Sequence, residues 1–149
     1  MAQFKKFSKI LVAIDGSPNS VDAADYGIGM AKKDNAKLVI MSVIYTPAST
    51  FTYSTEKSFR EFLKKAKDEA EGWFSKIRKN ASEIGVDLKT ESIEEIYSVP
   101  GAIIKYAEKE KADVIIVGGT GKSGFKKLLL GSVSSDVVRY ASMPVMVVK

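Results

Sequence analysis

Four short, almost wholly apolar runs alternate with segments of helical periodicity: KILVAI (9–14), KLVIMSVI (37–44), ADVIIVG (112–118) and PVMVVK (144–149). A fifth stretch, VDLKTESI (86–93), alternates apolar and polar residues. Continuous apolar strands are buried on both faces, and alternating ones suit a sheet edge. Strand and helix patterns in turn give β-α-β-α-β-α-β-α-β, which predicts a parallel sheet covered on both sides. Right-handed crossovers can cover both faces only if the strand order reverses once. Ligands of such sheets sit at that reversal, outside the carboxyl ends of the strands. If the first and fourth strands are neighbours, the order is 3-2-1-4-5, and the segments after both strands meet at one crevice.

The helices carry their own start signals. Ser17-Pro18 and Ser98 with Pro100 supply a hydroxyl cap followed by proline in the first turn. The first helix is expected to run to about Asp34, with Gly27 and Gly29 read as points of close helix-to-sheet packing. Residues 45–55 read as a polar loop. Beyond them Phe59, Phe62, Leu63, Ala66, Ala70, Trp73, Phe74 and Ile77 keep the spacing of one buried helix face. SVSSDVVRYAS (132–142) reads as the last helix. No repeat, linker or low-complexity segment interrupts the 149 residues, which read as one domain spanning 1–149.

Composition narrows the chemistry. There is no cysteine and no histidine. Disulfides, the usual zinc sites and Ser-His-Asp or Cys-His nucleophilic sites are thereby excluded. Catalysis would have to run on carboxylates, lysines, hydroxyls, backbone N–H groups or a hard metal ion, which lowers the expectation of an enzyme. The net charge is +5, with acidic and basic residues mixed along the helices as on solvated faces. This argues against a nucleic-acid surface. No apolar run approaches a membrane span, and Asp15 ends the first run too early for a secretory signal. The expectation is a cytoplasmic protein.

The segment GGTGKSGFKKLLLGSV (118–133) invites three readings. A phosphate-binding P-loop fails, because GKS (121–123) would require its first glycine at Ile116, inside a strand. Gly119, Gly121 and Gly124 match G-x-G-x-x-G, but on the wrong strand for a dinucleotide fingerprint. The third reading is a two-part phosphate cradle. Gly118 and Gly121 end the fourth strand, and glycine lets the backbone approach a ligand closely. Gly131 and Ser132 open the next helix, where the N–H groups of Ser132, Val133 and Ser134 would face an anion and the two serines would add hydroxyl donors. Between them KSGFKKLLL would form a lid carrying lysines, among them Lys126 and Lys127.

The spacing from Gly118 to Ser132, and ADVIIVGGTGKSGFKKLLLGSVSSDVVRYASMPVMVV around it, resembles the ATP-binding branch of the universal stress protein family. The opening KILVAIDGS is similar to that family's first strand and turn. The resemblance implies a single-domain, Rossmann-like fold of the adenine nucleotide alpha hydrolase type. It implies that Ala13, Ile14 and Asp15 line the adenosine, and that Val43 meets adenine through its backbone. Val117, Gly118, Thr120 and Gly121 would approach the ribose and phosphates, and Gly131, Ser132, Val133 and Ser134 would hold the phosphates. Asp15 is the candidate to position magnesium. It further implies a homodimer joined through the last strand, residues 144–148, which reads as an uncovered apolar edge.

The function expected on these grounds is a nucleotide-dependent switch or sensor of the stress response, with ATP as cofactor and magnesium as its companion. Two alternatives stand beside it: a slow magnesium-dependent ATPase and a dimeric interaction module independent of nucleotide. A redox or adenylylating relative would need a second substrate domain, and the sequence offers none.

Overall fold

The computed structural model describes residues 4–52, 55–120 and 130–149. Ten elements follow one another: β1 Lys9–Ala13, α1 Pro18–Asp34, β2 Lys37–Tyr45, α2 Ser49–Thr52, α3 Glu56–Glu83, β3 Leu88–Glu95, α4 Val99–Lys109, β4 Val114–Gly118, α5 Ser132–Tyr140 and β5 Val145–Val148. The sheet is parallel throughout with the order β3-β2-β1-β4-β5, as expected. No helix among the described residues is long and apolar enough to cross a membrane.

Strand period sorts the core into two layers. Ile10, Val12 and Ile14 point to one face, where they join Ala23, Ala24 and Ile28 of α1 and Phe74 and Ile77 of α3. Leu11, between them, points to the other face with Ile103, Tyr106 and Ala107 of α4 and Val137 of α5. In β2 and β4 the same alternation sends Leu38, Ile40, Val114 and Ile116 to the first layer and Val39, Met41, Ile115 and Val117 to the second. β3 and β5 are the edges. Every second residue of β3 is exposed over its first half, which is why this stretch alternated in sequence.

Caps close the helices where the start signals stand. Ser17 Oγ accepts from Ser20 N–H at the head of α1, Thr55 Oγ1 from Ser58 N–H at α3, and Ser98 Oγ from Gly101 N–H at α4. Asn35, at φ +52°, ends α1 and returns its N–H to the carbonyls of Ala31 and Lys32.

Four expectations are corrected. Residues 45–55 are not all loop: Tyr45 completes β2, and a four-residue helix, α2, starts where Thr50 N–H meets the Pro47 carbonyl. β3 lies two residues later than 86–93, because it follows β2 along its length from Leu38↔Leu88 to Tyr45↔Glu95. The apolar stripe of α3 is buried only at Ala70, Phe74, Ile77 and the further Ala81, while Phe62 is exposed. A helix of 28 residues is about 42 Å long, and a nine-residue strand spans only about 30 Å, so the front of α3 overhangs the sheet. The two glycines of α1 also differ. A Cβ on Gly27 would stand 2.6 Å from Val12 Cγ2, whereas one on Gly29 meets nothing within 4 Å. Gly27 is the close approach to the sheet; Gly29 faces solvent.

At the amino ends of the strands, the half-buried rim is tied by charge. Glu110 ends α4 and accepts from Lys89 of β3, from Tyr106 Oη at 2.9 Å and from Lys9 Nζ of β1 at 3.4 Å. These donors, Lys89 first and Tyr106 next, hold its carboxyl down at about 2. Burial, with the same carboxylate as neighbour, pushes the Tyr106 phenol up.

Two predictions follow from this packing. Gly27→Ala lowers unfolding free energy by about 1–3 kcal/mol through overpacking against Val12, while Gly29→Ala raises it by up to about 1 kcal/mol through helix propensity. Urea denaturation of both variants measures the difference in sign. Glu110 binds its proton less readily folded than unfolded, so its stabilisation is complete above about pH 4.5 and is lost as pH falls toward 2. Glu110→Gln therefore melts several degrees below the parent chain at pH 7, and the gap closes in acid; thermal melts across pH 2–7 read it directly.

Candidate functional site

The strand order reverses between β1 and β4, which pair from Ile10↔Val114 to Ala13↔Val117. The chain leaves β1 toward β2 and leaves β4 toward β5, so the two exits diverge and open a crevice. The crevice holds a cavity of about 260 Å³.

Eleven of the twelve residues singled out from the sequence line it. Ala13, Ile14 and Asp15 come from the end of β1, and Val43 from β2. Val117, Gly118 and Thr120 come from the exit of β4, and Gly131, Ser132, Val133 and Ser134 from the start of α5. Gly121 lies outside the described residues, as do Lys122, Ser123, Gly124, Lys126 and Lys127 of the expected lid. Four residues absent from that reading also line the cavity: Ser17 and Ser20 from the first turn of α1, and Val99 and Ile103 from α4. Val99 and Ile103 stand one helical turn apart, a spacing that marks a shared face but not which cavity the face meets.

The cavity lining is of two chemical kinds. Val43, Val99 and Ile103 of β2 and α4 present branched aliphatic groups suited to an apolar ring. The exit of β4 and the start of α5 contribute Val117 and Val133 but also glycine, hydroxyl and backbone groups. Here α5 begins at Gly131, whose backbone is extended (φ −61°, ψ 163°) and which offers no side chain to cap the helix. The first intrahelical bond runs from Ser135 N–H to the Gly131 carbonyl, at 3.0 Å. The N–H groups of Ser132, Val133 and Ser134 thus belong to an α-helical first turn without a side-chain cap, at the positive end of the helix dipole.

Hydrogen bonds tie the two ends of the 120–130 segment together. Gly119 N–H donates to the Val148 carbonyl at 2.7 Å, and the Gly119 carbonyl accepts from Gly131 N–H at 2.7 Å. Ser134 Oγ, buried, lies 3.0 Å from the Gly119 carbonyl and 3.1 Å from the Gly131 carbonyl. The Ser134 hydroxyl proton thus has carbonyl partners within the chain. A Cβ on Gly118 would stand 2.9 Å from Asn19 C and from Ser20 N, so this glycine also permits the close approach of the first turn of α1.

That turn also shapes the other wall. Asn19 Nδ2 donates to Thr120 Oγ1 at 2.6 Å, which leaves the threonine proton to point elsewhere. Asp15 Oδ1 accepts from Ser17 N–H at 2.9 Å, and Asp15 N–H approaches Ser20 Oγ at 3.3 Å. Between them Gly16 turns at φ +83°, a conformation other residues rarely adopt. Among the described residues no three carboxylates gather as a metal cluster; Asp15 is the acidic group on the cavity wall.

A family model described as the universal stress protein family matches residues 6–149. The universal stress protein MJ0531 of Methanocaldococcus jannaschii is 38% identical over 145 residues, covering 96% of this chain and 82% of that one. Among solved structures, the protein MJ0577, described in a structure-based assignment of biochemical function, superposes with a TM-score of 0.84 at 28% identity, covering 97% of both chains. A universal stress protein in complex with cAMP superposes with a TM-score of 0.62 at 26% identity, covering 97% of this chain and 98% of that one.

The stitch from Gly119 to α5 sets a measurable expectation. Ser134→Ala removes a donor from one buried and one half-buried carbonyl, which keep the Gly131 and Ser135 N–H groups respectively. It costs about 1 kcal/mol of unfolding free energy, whereas Ser132→Ala costs less than about 0.5 kcal/mol. Chemical denaturation of the two variants side by side checks the ranking.

Proposed function

The chain belongs to the universal stress protein family, and on that premise we propose that it binds ATP in the crevice between β1 and β4 and acts as a nucleotide-dependent switch. One observation carries the reading: an aliphatic pocket and a helix start capped only by glycine face one cavity. An adenine ring needs the first, and a phosphate chain needs the second.

The residues present fit the nucleotide. Val43, Val99 and Ile103 would hold the base, Val43 also through its backbone. Ala13, Ile14 and Asp15 would line the adenosine. Val117, Gly118 and Thr120 would lie along the ribose and phosphates, with the Thr120 hydroxyl free to donate because Asn19 already supplies the bond that it accepts. Gly131, Ser132, Val133 and Ser134 would receive the phosphates through the backbone of α5. Magnesium typically takes one or two protein carboxylates and completes its shell with phosphates and water, so Asp15 alone suffices on the protein side. Bound ATP would place its negative phosphates against the backbone N–H groups at the positive end of α5. The cAMP complex of a 26% identical relative supports an adenine nucleotide as the ligand class.

β5 supports the second half of the reading. It pairs with β4 on one side and is an edge on the other, with Val145, Met146 and Val147 half-buried. Two copies joined along residues 144–148 would satisfy that edge. Since the Gly119 N–H is bonded to the Val148 carbonyl, the edge strand and the phosphate end of the cavity share a hydrogen bond through which ligand and assembly would influence each other.

The test separates binding from folding. Gly131→Asp places a good helix cap, and a negative charge, where the phosphates would sit. The expected result is a melting temperature equal to or above the parent's, with Mg-ATP affinity reduced about tenfold or more and adenosine affinity little changed. Calorimetric titration reads both ligands. A parent chain that binds neither, or a variant that binds Mg-ATP as the parent does, overturns the reading.

A further inference from the structure

Trp73 is the one tryptophan in the chain, and it sits on α3, an element that contributes no residue to the cavity wall. Its neighbours on the same helix face, Ala70, Phe74 and Ile77, are buried in the core, and Trp73 is half-buried against that cluster. By spacing alone it belongs to the core stripe. Its ring, however, reaches past the stripe to the turn that follows β1. A Cβ built on Gly16 would stand 2.3 Å from Cζ2, 2.5 Å from Cε2 and 2.9 Å from Nε1 of the indole. The indole therefore lies directly on the Gly16 backbone. Glycine is required there twice over, by its φ of +83° and by the ring.

The residues on either side of Gly16 are cavity residues. Asp15 and Ser17 both line the wall, and they are joined across Gly16 by the bond from Ser17 N–H to Asp15 Oδ1. Asp15 N–H and Ser20 Oγ close the same turn. The turn is thus held by its own hydrogen bonds and by a flat aromatic surface that is not part of the cavity lining. Without the ring the turn would lose that support, and Asp15 with it.

We propose that Trp73 is a positioning residue for the ligand site: the indole on Gly16 fixes the Asp15 carboxylate at the cavity wall, and ligand occupancy is transmitted back to α3 through this contact. The inference rests on the nucleotide reading of the cavity and deepens it, since it assigns the metal-and-phosphate end of that ligand to a turn set by α3. Packing alone would make Trp73 important for stability and indifferent to which ligand is bound. Positioning through Asp15 makes it selective. Loss of the ring weakens Mg-ATP, which needs the carboxylate, more than adenosine, which does not carry the metal.

The experiment titrates parent chain, Trp73→Phe and Trp73→Ala with Mg-ATP and with adenosine by calorimetry, at a temperature where melts show all three folded, and follows the emission of Trp73 in the parent. The expected result is a roughly tenfold loss of Mg-ATP affinity in Trp73→Ala, a loss of less than about threefold for adenosine, and recovery of most of the difference in Trp73→Phe. Trp73 emission shifts on saturation with Mg-ATP. Equal losses for both ligands, or no loss, overturn the positioning role while leaving the nucleotide site standing. Should Trp73→Ala fail to fold, Trp73→Phe and the parent's emission decide: unchanged emission at saturating Mg-ATP overturns the inference. A parent chain that binds neither ligand overturns the nucleotide reading and this inference with it.

Discussion

Burial of the parallel sheet on both faces is the constraint from which the rest of this structure descends. β1, β2 and β4 carry apolar side chains on both sides, so helices must cover both. With right-handed connections, that requires the chain to start in the middle of the sheet, wind out to β3, return beside β1 and wind out the other way to β5. The crevice between the exits of β1 and β4 follows from this path, since no crossover bridges them. Hydrophobic patterning thereby determines where a ligand site can be before any residue of that site is chosen.

What the crevice becomes is decided by small residues and backbone hydrogen bonds. Gly118 lets α1 press against the end of β4, which brings Ser17 and Ser20 to the wall and Asn19 against Thr120. Gly119 then bonds to Val148 on one side and Gly131 on the other, so the start of α5 is stitched to the end of the sheet. The consequence is that the helix start is held to the sheet by main-chain bonds across eleven residues of intervening sequence. The two halves of the glycine motif are joined directly, Gly119 to Gly131.

The order of elements was legible because side-chain period is a local property. Runs such as KILVAI can only be buried strands in this context, and Ser17-Pro18 and Ser98 announce helix starts through their own hydroxyls. Strand order was legible as a consequence of covering both faces. The limits were set by properties that are not local. Nothing in the spacing of Phe62 and Phe74 says that α3 outruns the sheet, so one is exposed and the other buried. Gly27 and Gly29 look alike in sequence and differ only by which side of α1 meets Val12. In the site, glycine spacing located the residues that gather around the cavity, but not all their contacts. Gly118 also accommodates the first turn of α1, Ser134 bonds to carbonyls, and Val99 and Ile103 enter from a layer whose approach depends on the packing of α4 and α5. Gly119 matched only a dinucleotide pattern that stands on the wrong strand, and its role was not legible because a main-chain stitch leaves no mark on side-chain identity.

Stability and ligand chemistry are separated along the strand axis. At the amino ends, Asp113 accepts from the N–H groups of Ser8 and Lys9, Asp34 accepts from Phe7 N–H, and Glu110 gathers Lys9, Lys89 and Tyr106. These contacts clamp the first strand to α1, α4 and β3 and present nothing to the cavity. At the carboxyl ends, the helix start of α5 carries no side-chain cap and the turn at Gly16 adopts a conformation that costs other residues energy. A helix start capped by glycine gives up a few tenths of a kcal/mol of local stability relative to a good side-chain cap. A ligand that fills it restores that stability, and by linkage it shifts the folded population in proportion to the logarithm of its concentration. The fold thus places its charged ties at one end of the sheet and leaves the backbone donors of α5 without a side-chain cap at the other, where the cavity lies.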